Sequence, residues 1–119
     1  MTSVLIADDS DSIRLVLNDI LAIGNYTIAG EAVDGEDTIK KFYETKPDLL
    51  LLDLAMPKKD GLTVVKELTK THPAVKIILI TASDDQKIIQ KCLDEGALAY
   101  ISKPFDFDKV LKVIQENIS

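Results

Sequence analysis

The sequence has one cysteine, Cys92, and one histidine, His72, in 119 residues. A lone cysteine excludes an internal disulfide and agrees with a reducing compartment. Neither residue has partners for a soft-metal site, so Cys92 reads as a small core residue and His72, before Pro73, as a surface residue. No apolar run approaches the ~20 residues of a membrane helix, and the N-terminus lacks a basic stretch leading into an apolar one. No membrane role and a cytoplasmic protein are expected. Lys and Arg number 14 against 20 Asp and Glu, a formal charge of −6, which argues against nucleic acid as a partner and leaves a metal cation as the better electrostatic match. Low-complexity tracts, long linkers and internal repeats are also missing.

The composition is that of an ordinary globular protein, 46% hydrophobic and 29% charged. Residues 1–119 make one domain, long enough to bury roughly two thirds of its unfolded surface.

The chain is organised around residues 47–62, Pro-Asp-Leu-Leu-Leu-Leu-Asp-Leu-Ala-Met-Pro-Lys-Lys-Asp-Gly-Leu. Four consecutive leucines do not alternate, so they read as a strand buried on both faces, central in a parallel sheet. Asp53 follows at the strand's C-terminal end, where open α/β sheets place their sites. Met56-Pro57 turns the chain out and Asp60-Gly61 caps the next helix.

The same alternation runs through the whole sequence. Strands are predicted over 4–7, 26–33, 49–52, 75–80 and 98–102. Between them lie helices with inward stripes: Ile13, Val16, Leu17, Ile20 and Leu21; then Ile39, Phe42 and Tyr43; then Leu62, Val65 and Leu68; then Ile88, Ile89, Cys92 and Leu93, capped by Ser83 or Asp84. The last helix, from about Asp106, carries Val110, Leu111, Ile114 and Ile118. Five strand-then-helix units imply an α/β fold, a five-stranded parallel sheet with helices on both faces.

Four strands end in Asp8-Asp9, Asp53, Thr81 and Lys103, and parallel strands bring those ends to one edge. Singly, each has a plain reading: Asp8-Asp9 as helix-capping acids, the others as loop or solvated residues. Together they need a counter-charge, because carboxylates ~5 Å apart repel by roughly 3 kcal/mol per pair at an effective dielectric near 20. Oxygen-only ligands favour Mg²⁺ or Mn²⁺. With that cation, Lys103, and a hydrogen bond from Thr81, the site suits a phosphoryl group. Asp53 is then the better nucleophile candidate, Asp8 and Asp9 the better metal ligands.

This set, with Lys103-Pro104 and the loop Met56-Pro57-Lys58-Lys59-Asp60-Gly61-Leu62, closely resembles the receiver domains of bacterial and archaeal two-component response regulators over essentially the whole chain. The resemblance implies a CheY-like, flavodoxin-like (βα)5 fold with strand order 2-1-3-4-5. It implies that Asp53 is the phosphoacceptor, served by a histidine kinase. Mg²⁺ would be held by Asp9, Asp53 and the Ala55 carbonyl, with Asp8 acting mainly through water. Lys103 would pair with the phosphoryl oxygens, which the backbone N–H groups of Ala55 and Ala82 also bind. Thr81 would be the switch hydroxyl, and Tyr100 the switch aromatic that turns inward. The Lys103-Pro104 bond is commonly cis in the family. Ala55 and Ser83 are expected to tune the phosphorylated lifetime.

The expected function is a monomeric single-domain response regulator, ending after the last helix without an output domain. It would catalyse only its own phosphorylation and dephosphorylation and signal to a motor-switch or adaptor protein, with chemotaxis as the leading assignment. A phosphorelay intermediate and a receiver from a longer regulator are the alternatives. A metal-dependent phosphatase is disfavoured because Ala55 stands where the second acid of Asp-x-Asp would be. A flavodoxin-type cofactor role is disfavoured by the acidic loop after the first strand.

Overall fold

A computed structural model describes residues 2–82 and 84–118. In chain order the elements are β1 (Ser3–Ala7), α1 (Asp11–Ile23), β2 (Thr27–Ala32), α2 (Gly35–Thr45), β3 (Leu49–Leu52), α3 (Gly61–Thr71), β4 (Ile77–Thr81), α4 (Gln86–Asp94), β5 (Ala99–Ser102) and α5 (Phe107–Ile118). The strands pair in parallel in the order β2-β1-β3-β4-β5, as expected.

The leucine run explains the layering. Successive strand residues face opposite sides, so Leu50 and Leu52 enter one core with Phe42, Val64, Val65, Leu68, Ile89 and Cys92, while Leu49 and Leu51 enter the other with Leu17, Leu21, Ile101, Val110 and Ile114. Helices α2 to α4 therefore cover one face of the sheet and α1 and α5 the other. The flanking strands obey the same rule: Ile77 and Leu79 face one way, Ile78 and Ile80 the other. Cys92 lies fully buried in the first core, where burial pushes its thiol up to about 11 and keeps it unreactive.

Several local expectations change. Val16 and Tyr43 are exposed, not inward, and the buried members of their helices include Arg14 and Thr38. Tyr43 lies outside the stripe, its hydroxyl donating to Thr71 and its ring tilted at 57° to that of His72. His72 is accordingly half-buried, packed on Phe42 and Tyr43 with centroids 5.1 and 5.2 Å away, instead of lying free on the surface. The α4 cap is Asp85, whose carboxylate accepts from the N–H groups of Lys87 and Ile88. Asp84 does not hold that place, and Ser83 lies outside the described residues.

Asp60 does cap α3, accepting from Thr63 N–H at 2.8 Å. Asp60→Ala leaves that N–H to water and is expected to lower stability by about 1 kcal/mol, readable as a shift of the urea midpoint at unchanged slope.

Candidate functional site

Register puts the chemistry on one edge. Ala7 pairs with Leu52 and Leu52 with Leu79, so the residues after β1 and β3 leave the sheet at the same level. The ladder continues briefly past the strands: Asp8 N–H donates to Ala32 O at 3.0 Å and Asp53 N–H to Ala7 O at 2.9 Å. On the other side Thr81 pairs with Ser102, and Lys103 N–H donates to Thr81 O at 2.8 Å.

The side chains converge as the strand reading requires. Carboxylate oxygens of Asp8, Asp9 and Asp53 lie within 4.8 Å of one another. Asp8 and Asp53 are buried, at 1% and 4% exposure, and Asp9 is exposed. The Lys103 ammonium enters from the far end of the chain, 2.8 Å from Asp8 Oδ2 and 3.6 Å from Asp53 Oδ2. Asp8 Oδ1 accepts from Ser10 N–H at 2.8 Å, and Asp53 Oδ1 from Ala55 N–H at 3.2 Å. Each buried carboxylate thus has one oxygen held by backbone and one facing the lysine.

Burial pushes the Asp53 carboxyl above its ordinary 3.8. The Ala55 N–H and then the Lys103 ammonium oppose this, while Asp8 and Asp9 add to the rise. Three carboxylates and one ammonium leave two formal negative charges in excess, on hard oxygen donors with no nitrogen or sulfur among them. That donor set fits Mg²⁺ or Mn²⁺.

The other predicted residues fall around this centre. Thr81 is buried at the end of β4 and Ala82 follows it directly. Ala55 is exposed, beside the cluster through its N–H. Tyr100 lies on β5 at 38% exposure, beside β4 and two strands from β3. The Lys103-Pro104 peptide is cis.

Two features escaped sequence reasoning. Arg14 is buried beneath the site and donates from Nη1 to the Asp8 carbonyl at 2.6 Å. The loop carrying Asp53 and Ala55 rests on the start of α2, where Gly35 N–H donates to Pro57 O at 3.2 Å and Lys58 pairs with Asp34 at 3.5 Å. A helical position 14, three before Leu17 and seven before Leu21, was the available signal for Arg14. The Asp34-Gly35 contact had none.

Comparison with known proteins supplies independent findings. The family described as Response regulator receiver domain matches residues 4–115. Protein CcdB of Bacillus subtilis is 38% identical, over 96% of this chain and 95% of its own. Chemotaxis protein CheY of Thermotoga maritima is 35% identical, over 95% and 94%. A crystal structure of a CheX-CheY-BeF3-Mg²⁺ complex from Borrelia burgdorferi superposes with a TM-score of 0.91 at 32% identity, covering 97% of this chain and 87% of that one.

Proposed function

Since this chain belongs to the receiver-domain family of response regulators, we propose that it is a Mg²⁺-dependent switch whose Asp53 accepts a phosphoryl group from a histidine kinase. The observation that carries the reading is the pair of roles at one edge: a buried carboxylate with one oxygen tied to backbone, beside two further carboxylates and an ammonium.

A carboxylate oxygen of Asp53 forms the new O–P bond as the P–N bond to the kinase imidazole breaks, its electron pair returning to the ring. The Ala55 N–H fixes the carboxylate plane before attack. Lys103, 3.6 Å away, is placed to pair with phosphoryl oxygens, and the backbone N–H groups of Ala55 and Ala82 complete that binding. Asp8, Asp9, Asp53 and the Ala55 carbonyl would hold the cation, which when bound neutralises charge on the phosphoryl oxygens. Thr81, buried beside this edge, and Tyr100, part-exposed on β5, are the switch pair, biased by the modified Asp53 toward a second packing. The protein is then no enzyme with a separate substrate, and catalyses only the phosphorylation and dephosphorylation of its own Asp53.

Relatives named chemotaxis protein CheY support chemotaxis as the output, and we further propose a motor-switch or adaptor partner and a cytoplasmic monomer. Among the described residues no helix is long and apolar enough to cross a membrane. Intact mass after exposure to a small-molecule phosphodonor tests the chemistry. One phosphoryl adduct, mapped to Asp53 and not formed when the donor is added in EDTA, is the expected result; no adduct under rapid quench refutes it. Onward transfer to a histidine phosphotransfer protein would instead assign a relay role.

A further inference from the structure

Arg14 is the strongest unassigned feature near the site. Its side chain is only 10% exposed, although it sits on a helix with open solvent on its far side. Its donors are divided among three elements. Nη1 donates to the Asp8 carbonyl at 2.6 Å, Nε to Glu31 at 3.1 Å next to the end of β2, and Nη2 pairs with Asp11 in the first turn of α1. The Asp8 carbonyl belongs to the peptide that joins the two acids of the cluster.

The neighbouring atoms of Asp8 are already held. Its N–H is on Ala32, and its carboxylate is on Ser10 and Lys103. The carbonyl bond to Arg14 therefore fixes the remaining freedom, rotation of the Asp8-Asp9 peptide, which aims the exposed Asp9 carboxylate at the other two. We propose that Arg14 is a positioning residue for the cation site: through the Asp8 carbonyl it orients the Asp8-Asp9 pair, and so sets divalent-cation affinity without touching the ion. The inference rests on the reading of Asp8, Asp9 and Asp53 as that site.

Charge and positioning predict opposite outcomes. Arg14 is a cation close to a cation site, so removing its charge alone tightens binding. Losing the carbonyl bond frees the Asp9 peptide, so removing its geometry weakens binding, by the tenfold or more typical of residues that orient ligands. Arg14→Gln loses both charge and reach. Arg14→Lys keeps the charge, and its single ammonium cannot hold Asp8 and Glu31 together.

The test is Mn²⁺ titration of the metal-free protein, with free Mn²⁺ counted by electron paramagnetic resonance and Mg²⁺ as competitor. Urea midpoints in EDTA verify that each chain is folded at the titration temperature. Arg14→Gln is expected to bind Mn²⁺ about tenfold more weakly than wild type, with Arg14→Lys between the two. Tighter or unchanged binding by a folded Arg14→Gln overturns the proposal and leaves the cation site standing. If Arg14→Gln does not fold, Arg14→Lys decides alone: weaker binding supports the proposal, and an affinity equal to wild type shows that the divided hydrogen bonds are not needed and overturns it. Absence of Mn²⁺ binding by the wild type overturns both the proposal and the site.

Discussion

Asp53→Asn is expected to abolish the phosphoryl adduct and to make the metal-free protein more stable by about 2 kcal/mol at pH 7. The first effect follows from losing the nucleophile, since an amide oxygen does not take its place. The second follows first from burial of a charged carboxylate, with crowding by Asp8 and Asp9 added to it. At 4.8 Å and an effective dielectric near 20, Asp8 and Asp9 each repel the Asp53 carboxylate by roughly 3.5 kcal/mol, and the Lys103 ammonium at 3.6 Å offsets roughly 4.6 kcal/mol of that, so about 2 kcal/mol of repulsion remains on Asp53. The sign is fixed by the elevated Asp53 carboxyl, which binds its proton more tightly folded than unfolded. Stability therefore falls as pH rises from the unfolded value near 3.8 through the folded value, and the full penalty is present above it. Asn carries no such penalty. The two chains should be equally stable below that window and diverge above it, in urea unfolding with EDTA present. Saturating Mg²⁺ should narrow the gap by stabilising the wild type more than the variant. An Asp53→Asn chain no more stable than wild type at pH 7 without metal would show that the cluster is already charge-balanced.

Gly35→Ala is the other large effect. A Cβ built there meets Lys59 O at 2.0 Å, Lys59 Cβ at 2.5 Å and Lys59 C at 2.7 Å, and the first and last are backbone atoms. No side-chain rotation relieves that contact. The loop from Asp53 to Asp60 has to lift off α2, losing the Gly35 N–H bond to Pro57 and the Lys58 contact with Asp34. Overpacking of this kind costs up to about 3 kcal/mol. Because the loop carries Ala55, whose N–H holds Asp53, the shift should also weaken Mg²⁺ binding. Gly30→Ala is the control. Its Cβ finds nothing nearer than Leu5 Cδ1 at 3.6 Å, an ordinary contact, so it should be close to neutral in both measurements. A Gly35→Ala chain with wild-type stability and Mg²⁺ affinity would mean that the loop does not need this seat.

What sequence could reveal here depended on periodicity and topology. Leu49–Leu52 announced a strand buried on both sides because a parallel sheet between helices leaves no polar face, and both cores receive its side chains. Asp8, Asp9, Asp53 and Lys103 could be assembled because parallel strands end on one edge, whatever their separation along the chain. Tyr43 and His72 were misplaced because their mutual packing joins α2 to the end of α3, a contact that neither helix's own periodicity encodes. Arg14 was overlooked because a charged residue on an apolar stripe reads as a solvated side chain until its partners are known. Gly35 looked like a turn residue, and only the tertiary approach of Lys59 shows that it is there for its missing side chain.

The bond between Lys103 and Asp8 spans 95 positions. A ribosome releases the acids of β1 and β3 well before β5, so the lysine is the last of these charged side chains to become available. The site is consequently a late product of synthesis. A truncated or stalled chain lacks the lysine, and with it the group placed to receive the phosphoryl oxygens. On the proposed reading, incomplete copies would compete poorly for a phosphoryl group, a quality check that arises from where β5 falls in the sequence.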